Sequence, residues 1–214
     1  MVIHERRERI LARLTSEGYL NASQLSEEFN VDSSTIRRDL IYLEKHGHII
    51  RTHGGVLPVL STEGQDTPYS IRKSRHHFEK VAIAEYAASL VQDGDSVILD
   101  NGSTVYELAA LLALKKHLTV ITNDLNIAIL LSQYPAINLN VTGGAVAGNS
   151  YTLVGPDATR KFGEVYADWA FMGAEGVHPE SGITNVNAVE IPTKLAILNA
   201  AKTRVILADS SKIG

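Results

Sequence analysis

Short apolar runs alternate with longer helix-like stretches from about residue 79 to residue 209. The runs are "SVILD", "LTVIT", "INLNVT", "WAFMG" and "RVILAD", and each has the length and apolar content of a buried strand. Helix-like stretches such as "TVYELAALLA" lie between most of them, and a glycine-rich stretch follows "INLNVT". Parallel strands need crossovers of this kind, because a tight turn joins only antiparallel strands. The alternation therefore predicts an α/β domain, with a parallel sheet and helices on both faces.

The first 60 residues have a different pattern, of three short helices and a hairpin. Asn21 is a favourable N-cap for the second helix, and Asp32 is one for the third. Ile36, Leu40 and Leu43 share one face of the third helix, which predicts its buried stripe. Two apolar runs around a Gly-Gly pair then predict the hairpin. The pattern is that of a winged helix-turn-helix, in which the hairpin is the wing.

A small polar stretch separates the two patterns. It reads "STEGQDT" and is followed by Pro68, a composition typical of a linker. The total length of 214 residues suits two domains. We predict a winged helix-turn-helix domain over 1–58, a linker over 59–74 and an α/β domain over 75–214.

Composition excludes several classes of protein. The chain has no cysteine, which removes disulfides, thiol catalysis and cysteine-ligated zinc and favours a cytoplasmic location. No apolar run has the length of a membrane span, so no membrane association is expected. Residues 1–60 hold 8 Lys+Arg and 8 Asp+Glu, so bulk charge gives no sign of nucleic-acid binding. Any such sign must come from local clustering of basic residues.

The third predicted helix carries that clustering. Its sequence "SSTIRRDL" turns two serines and two arginines outward when its apolar stripe faces the core. Arginine suits guanine edges and phosphates, and short hydroxyl side chains let the backbone approach DNA. A solvated helix face is the alternative, but the caps, the turn and the wing favour DNA. The predicted DNA-binding residues are Ser33, Ser34, Thr35, Arg37, Arg38, Arg51 and His53.

Polar residues follow the predicted parallel strands, at the edge where open α/β sheets bind ligands. "VILD" runs into Asn101, Gly102, Ser103 and Thr104 at a helix start, where N–H groups and hydroxyls suit an anion. Lys194, on a later helix, supplies a positive charge. The set favours a pocket for a phosphate-bearing polyol, although the same residue types also serve as turns and caps. The "DNGST" sequence is neither a Walker loop nor a dinucleotide fingerprint, so no nucleotide cofactor is predicted.

Catalysis is less well supported by the residues. Asp100, Asp168 and Glu190 are acids near candidate ligand positions, and sugar isomerisation needs a carboxylate base. No spacing singles out a pair among them. The histidines have no metal-ligand spacing, so neither a metal nor a catalytic residue is predicted.

The chain resembles the DeoR family of bacterial sugar-metabolism repressors along nearly its whole length. The resemblance is carried by "RRERILARL", "VDSSTIRRDLIYLEKHG" and "IIRTHGGV" in the first part. In the second part it is carried by "EKVAIA", "LDNGST", "TVITND", "LVGP", "FMGAEGV" and "LADSSKIG". It implies an effector domain similar in fold to ribose-phosphate isomerases, which binds a phosphorylated sugar and thereby relieves repression.

The resemblance also implies roles for individual residues. Phosphate contacts are implied at Gly102, Ser103 and Thr104, and a ligand-binding role for Lys194. Sugar contacts are implied for Asp100, Asn123, Gly143 and Gly144. Asn101 and Pro192 depart from the family pattern near this site. The family continues beyond "DSSKIG", so the effector domain is expected to be truncated at its C-terminus.

The sequence therefore predicts a transcriptional regulator, a repressor of a carbohydrate-utilisation operon. Its expected partners are a double-stranded DNA operator and a phosphorylated sugar, and it is expected to form a homodimer or homotetramer. Two alternatives stay open. One is a sugar-phosphate isomerase-like enzyme carrying a DNA-binding domain, and the other is an inactive fragment that cannot bind an effector.

Overall fold

The computed structural model describes residues 3–17, 19–46, 48–52, 54–58 and 69–213. Backbone contacts divide the chain into two compact units. The described residues up to Pro58 belong to the first unit, and those from His76 onward belong to the second. The short helix α4 (Tyr69–Ser74) lies between these two stretches of the chain. Its residues from Ser70 onward are grouped with the first unit, and Tyr69 is grouped with the second.

The first unit has the predicted winged helix-turn-helix arrangement. Its elements are α1 (Ile3–Glu17), β1 (Leu20–Asn21), α2 (Ala22–Glu28), α3 (Ser33–Lys45), β2 (Ile49–Arg51) and β3 (Gly55–Pro58). The strands form an antiparallel sheet in the order β1-β3-β2, in which β2 and β3 make the wing. The predicted stripe of Ile36, Leu40 and Leu43 is buried, and it packs with Ile10 and Leu25 from the other two helices.

Two caps set the ends of the helix-turn-helix. The Asn21 side chain accepts a hydrogen bond from the N–H of Ser23, as expected of an N-cap. Asn30 adopts the left-handed conformation, with φ of 48°, and so ends α2. Asp32 precedes α3, but its side chain makes no capping hydrogen bond, so the prediction for this side chain was wrong.

The second unit is the predicted α/β domain. Its elements are α5 (His77–Leu90), β4 (Ser96–Leu99), α6 (Ser103–Leu112), β5 (Thr119–Thr122), α7 (Leu125–Leu131), β6 (Asn138–Val141), β7 (Ala145–Ala147), β8 (Thr152–Val154), α8 (Pro156–Gly163), β9 (Ala167–Gly173), β10 (Gly176–His178), β11 (Gly182–Thr184), α9 (Ile191–Asn199) and β12 (Ala201–Leu207). Five of these strands form a wholly parallel sheet in the order β12-β9-β4-β5-β6.

Both faces of this sheet are covered, as strand β4 illustrates. Val97 and Leu99 point into a core formed with α5, α6 and α7. Ile98 points to the opposite face, into a core formed with α8 and α9. All three side chains are fully buried, because alternate residues of a strand face opposite sides and helices cover both. The prediction of helices on both faces is confirmed.

In the second unit, two hairpins and one helix among the described residues were not predicted from the sequence. They are the antiparallel hairpin β7–β8, helix α8 and the antiparallel hairpin β10–β11. Each of the four hairpin strands has only three residues, which is too short for an alternation of apolar and polar residues to stand out. The glycine-rich stretch after β6 contains the first of these hairpins.

Gly144 lies where that hairpin approaches its own backbone. A Cβ atom at this position would lie 2.5 Å from the carbonyl oxygen of Val154, and the φ of Gly144 is +114°. Only glycine meets both conditions without strain. Gly163, near the end of α8, would place a Cβ in open space and has an ordinary φ.

We expect Gly144→Ala to lower the free energy of unfolding of the second unit by about 1–3 kcal/mol, because it strains the backbone and pushes β7 from β8. Gly163→Ala is the matched control, and a change between zero and a gain of about 1 kcal/mol is expected for it. Urea unfolding followed by the fluorescence of Trp169, the single tryptophan, reports on this unit. Equal stability of the two variants would contradict this account.

Candidate DNA-binding and effector sites

The first unit has a surface depression between its third helix and its wing. The volume of the depression is about 410 Å³. Its lining includes Ser33, Ser34 and Arg37 from α3 together with Arg51 from the wing. The three α3 side chains are exposed, as predicted. The structure therefore brings four of the predicted DNA-binding residues to one surface.

The other predicted residues of this group lie differently. Arg38 is exposed on α3 outside the depression, and Thr35 is half-buried. Arg51, which lines the depression, also forms a salt bridge with Glu44, with 3.3 Å between Nη1 and Oε2. His53 lies outside the described residues. Two residues that sequence analysis did not single out, Ser23 and Thr52, also line the depression.

A buried ion pair lies at the carboxyl end of β4 in the second unit. Asp100 directly follows β4 and has no exposed surface. The Nζ atom of Lys194, from α9, lies 2.6 Å from Asp100 Oδ2. The same Nζ donates to Asn101 Oδ1 at 3.2 Å. Two residues that are 94 positions apart in the chain, and that were both predicted to bind the ligand, are thus in direct contact.

Three carboxylates surround this one lysine. Burial by itself would lower the pKa of Lys194, but the negative charges of Asp100, Glu190 and Glu175 outweigh it and the pKa is raised. Lys194 is therefore fully protonated at neutral pH. The carboxyl oxygens around this lysine are hydrogen-bond acceptors, which suits ligand atoms that donate hydrogen bonds.

Glu190 connects the ion pair to a neighbouring loop. Its Oε2 lies 3.9 Å from Lys194 Nζ and accepts hydrogen bonds from the side chains of Asn101, at 3.4 Å, and Asn185, at 3.2 Å. Glu175 Oε2 accepts from the N–H of Val186 at 2.5 Å. Sequence analysis missed Asn185 in this network, because it belongs to no strand end. It placed Asn101 among the polar residues after "VILD" and noted it as a departure from the family pattern, but it did not predict a ligand contact for it.

The predicted phosphate-binding residues lie at the start of α6. Gly102, with φ of +139°, precedes the helix, Ser103 is buried and Thr104 is half-buried. The N–H of Tyr106 donates to Gly102 O, which is the first hydrogen bond of α6. In general, the N–H groups of the first turn of a helix have no acceptor within the helix. The N–H of Gly102 is already engaged, because it donates to Asp124 Oδ2 at 3.2 Å.

Asp124 is a buried carboxylate at the end of β5. Its Oδ1 accepts from the N–H groups of Asn126 and Ile127 and so caps α7. Burial raises the pKa of Asp124, although the three backbone hydrogen bonds it accepts act to lower that pKa. The negative charge of Asp100 adds to the rise. This residue followed Asn123 in the predicted strand end, yet it was not among the predicted site residues.

Two buried oxygen atoms near these strand ends have no hydrogen-bond partner among the described residues. They are Asp100 Oδ1 and Asn123 Oδ1. The amide nitrogen of Asn123 donates to the carbonyl oxygen of Leu153 at 3.3 Å, which leaves its oxygen as the open acceptor. Buried polar atoms in folded proteins are nearly always satisfied. Both atoms are acceptors, so a hydroxyl group is a suitable partner for each.

The remaining predicted site residues are less closely grouped. Gly143 and Gly144 follow the edge strand β6, two strands away from β4, and both have positive φ. Asp168 was expected near the ligand, and this prediction was wrong. It lies at the amino end of β9, where its Oδ2 accepts hydrogen bonds from the backbone N–H and the hydroxyl of Ser96. Because Ser96 begins β4, this pair lies at the opposite edge of the sheet from Asp100.

Two further observations concern the described residues as a whole. They contain no group of three or more His, Asp or Glu side chains placed to hold a metal ion. They also contain no helix that is both long enough and apolar enough to cross a membrane.

Comparison with known families accounts for both units. A profile described as a DeoR-like helix-turn-helix domain matches residues 6–62. A second profile, described as the DeoR C terminal sensor domain, matches residues 75–214. The chain belongs to the DeoR family. It is a DNA-binding transcriptional regulator with an N-terminal helix-turn-helix and a C-terminal sensor domain.

Individual relatives agree with the family assignment. The HTH-type transcriptional regulator GolR of Listeria innocua is 38% identical over 98% of this chain and 82% of its own length. The HTH-type transcriptional repressor GlcR of Bacillus subtilis is 36% identical over 100% of this chain and 82% of its own length. Both are named as regulators, which favours a regulator over the isomerase-like enzyme that the sequence left open.

A solved structure also aligns with part of the chain. Ribose 5-phosphate isomerase A from Methanocaldococcus jannaschii is 22% identical, with a TM-score of 0.47. The alignment covers 64% of this chain and 55% of the isomerase.

Proposed function

We propose that this regulator represses a carbohydrate-utilisation operon and that a phosphorylated sugar bound in the sensor domain lowers its affinity for the operator. We further propose that it acts as a homodimer or homotetramer. In this proposal residues 1–58 bind DNA, residues 59–74 are a linker and residues 75–214 bind the sugar. The observation that carries the effector part is the buried Lys194–Asp100 pair beside two open oxygen acceptors.

The chemistry of this strand edge suits the two ends of a phosphorylated sugar. Sugar hydroxyl groups would donate to Asp100 Oδ1 and Asn123 Oδ1, and would thereby satisfy two buried acceptors. The phosphate would lie at the start of α6, against Ser103 and Thr104, where helix N–H groups favour an anion. Lys194, whose pKa is raised, lies in contact with Asp100 and Glu190. It would bind an anionic or hydroxyl group of the ligand.

The named relatives disfavour the enzyme alternative. GolR is named as a transcriptional regulator and GlcR as a transcriptional repressor. Among the candidate acids, Asp168 lies at the other edge of the sheet from the proposed ligand residues. A turnover assay on pentose and hexose phosphates is expected to give no product.

The DNA-binding part of the proposal predicts that two arginines of α3 contribute to operator affinity and that an arginine of α1 does not. Arg37→Ala and Arg38→Ala should each weaken operator binding, because both side chains are exposed on α3. A lost base contact should cost about 1–3 kcal/mol and relax specificity, whereas a lost phosphate contact should weaken binding to all sequences and reduce the salt slope by about 1. Arg9→Ala, an exposed arginine on α1, is the matched control. The measurement is operator affinity as a function of salt, and unchanged affinity in both α3 variants would refute the assignment.

The effector part predicts a separation of the two binding activities. Lys194→Ala should reduce sugar-phosphate binding by at least about tenfold, as expected for loss of a charge-assisted hydrogen bond, and should leave operator binding intact. The double change Ser103→Ala and Thr104→Ala should act in the same way. Lys202→Ala, an exposed lysine on β12, is the matched control. Calorimetric titration of a panel of pentose and hexose phosphates measures the effect.

Two outcomes of that titration would count against the effector site. Equal binding of one sugar phosphate by the wild type and by Lys194→Ala would remove Lys194 from the site. Binding of no member of the panel by the wild type would contradict the proposed effector class.

The assembly prediction follows from the size of one recognition helix. A single helix in the major groove reads few base pairs, so helix-turn-helix proteins normally bind paired half-sites as symmetric dimers. Light scattering on the free protein should therefore give a mass of two or four chains. A monomer that binds a single half-site tightly would contradict the proposal.

A further inference from the structure

Helix α3 buries one charged side chain among its apolar stripe. Its buried residues are Ile36, Asp39, Leu40 and Leu43, and Asp39 has only 1% of its surface exposed. A buried carboxylate is costly unless it is paired and hydrogen-bonded. Asp39 directly follows Arg38, so this buried charge lies within the part of the helix that is proposed to contact DNA.

Two arginines of α1 hold the two oxygen atoms of Asp39. Arg6 Nε lies 2.6 Å from Oδ2, and Arg7 Nε lies 2.8 Å from Oδ1. The side chain of Arg6 is 6% exposed and that of Arg7 is 18% exposed, so water screens the cluster little. The guanidinium of Arg7 also lies 3.7 Å from the centre of the Tyr42 ring, one turn further along α3.

This cluster constrains α3 in a way that apolar packing does not. The hydrophobic effect is non-directional, so Leu and Ile contacts tolerate small rotations and shifts of a helix. Hydrogen bonds depend steeply on distance and angle. Arg6 and Arg7 are successive residues, about 100° apart around α1, and they approach different oxygens of one carboxylate. Together they set the rotation of α3 and its position along its axis.

We infer that Asp39, held by Arg6 and Arg7, is a positioning residue for DNA recognition. It sets the direction in which the exposed arginines of α3 leave the helix, and so contributes to the choice between operator and non-operator DNA. Buried ion pairs of this kind contribute little net stability compared with apolar residues, and a role in structural specificity fits that balance. The inference rests on the proposed contact of α3 with DNA.

The experiment compares two affinities for each variant of the full chain. The first probe is the duplex that the wild type enriches most strongly from a randomised DNA library, and the second is a scrambled duplex of the same composition. Their ratio measures sequence discrimination. Partial unfolding lowers both apparent affinities by the same factor, so the ratio does not respond to a loss of stability alone.

Asp39→Asn keeps the size of the side chain and removes its charge. We expect its affinity ratio to fall by at least about tenfold, the effect of losing one good base contact, while binding to the scrambled duplex changes little. Leu14→Ala is the matched control, because Leu14 is buried in the same core and is not part of the ion cluster. It should lower the melting temperature of the first unit and keep the ratio of the wild type.

A second variant covers the case in which Asp39→Asn does not fold. Arg7→Gln keeps the Arg6–Asp39 contact and changes a partly exposed residue, so the unit is expected to fold and the ratio to fall by a smaller factor. The inference would be overturned if Asp39→Asn and Arg7→Gln both fold and keep the affinity ratio of the wild type. It would also be overturned if the ratio of Leu14→Ala falls as far as theirs. If the wild type itself enriches no sequence, the proposed DNA recognition fails and the inference fails with it.

Discussion

Strand β4 is hydrogen-bonded to a parallel neighbour on each side and is covered by helices on both faces. The second unit is organised around it. Because its neighbours β9 and β5 run in the same direction, all three strands end at one edge of the sheet. Asp100 directly follows β4 and Asn123 directly follows β5, so both polar residues lie at the same edge. Residues far apart in the chain thereby line one candidate effector site.

Each unit of the protein contains a buried ion cluster next to its candidate binding surface. In the first unit, one carboxylate is held by two arginines below the exposed face of α3. In the second, one lysine is held among three carboxylates at the end of β4. Hydrophobic side chains fill the cores of both units and account for most of their stability. The ion clusters constrain how the elements that carry them are oriented, since a charged hydrogen bond forms only in a narrow range of distances and angles.

At the candidate effector site, one acid both caps a helix and lies beside the proposed phosphate position. Asp124 caps α7 with one oxygen and accepts the N–H of Gly102 with the other. A ligand phosphate at the start of α6 would therefore meet a carboxylate beside the N–H groups that attract it. Burial raises the pKa of Asp124, and the backbone N–H groups that donate to it act in the opposite direction.

The sequence by itself determined the winged helix-turn-helix, the five parallel strands and most of the helices between them. The spacing of Ile36, Leu40 and Leu43 gave the buried face of α3, and the alternating strands and helices gave the parallel sheet. It also predicted that Asp100 and Asn123 lie at one edge of the sheet, since parallel strands end together. These features depend on the spacing of apolar residues, which repeats every 3.6 residues in a helix and every 2 in a strand, and on general rules for connecting strands and helices. A single sequence is enough to apply both.

Only the tertiary structure decided which polar side chains meet. Arg6 and Asp39 are 33 positions apart, and no local period relates them. Asp168 lies at the start of its strand and Asp100 directly follows the end of another, so the parallel sheet places the two acids at opposite edges. Asn185 reached Glu190 from a loop that no strand or helix pattern predicts. Such contacts depend on how separate elements pack in three dimensions, because a hydrogen bond requires atoms within about 3 Å and sequence spacing sets distances only within one element.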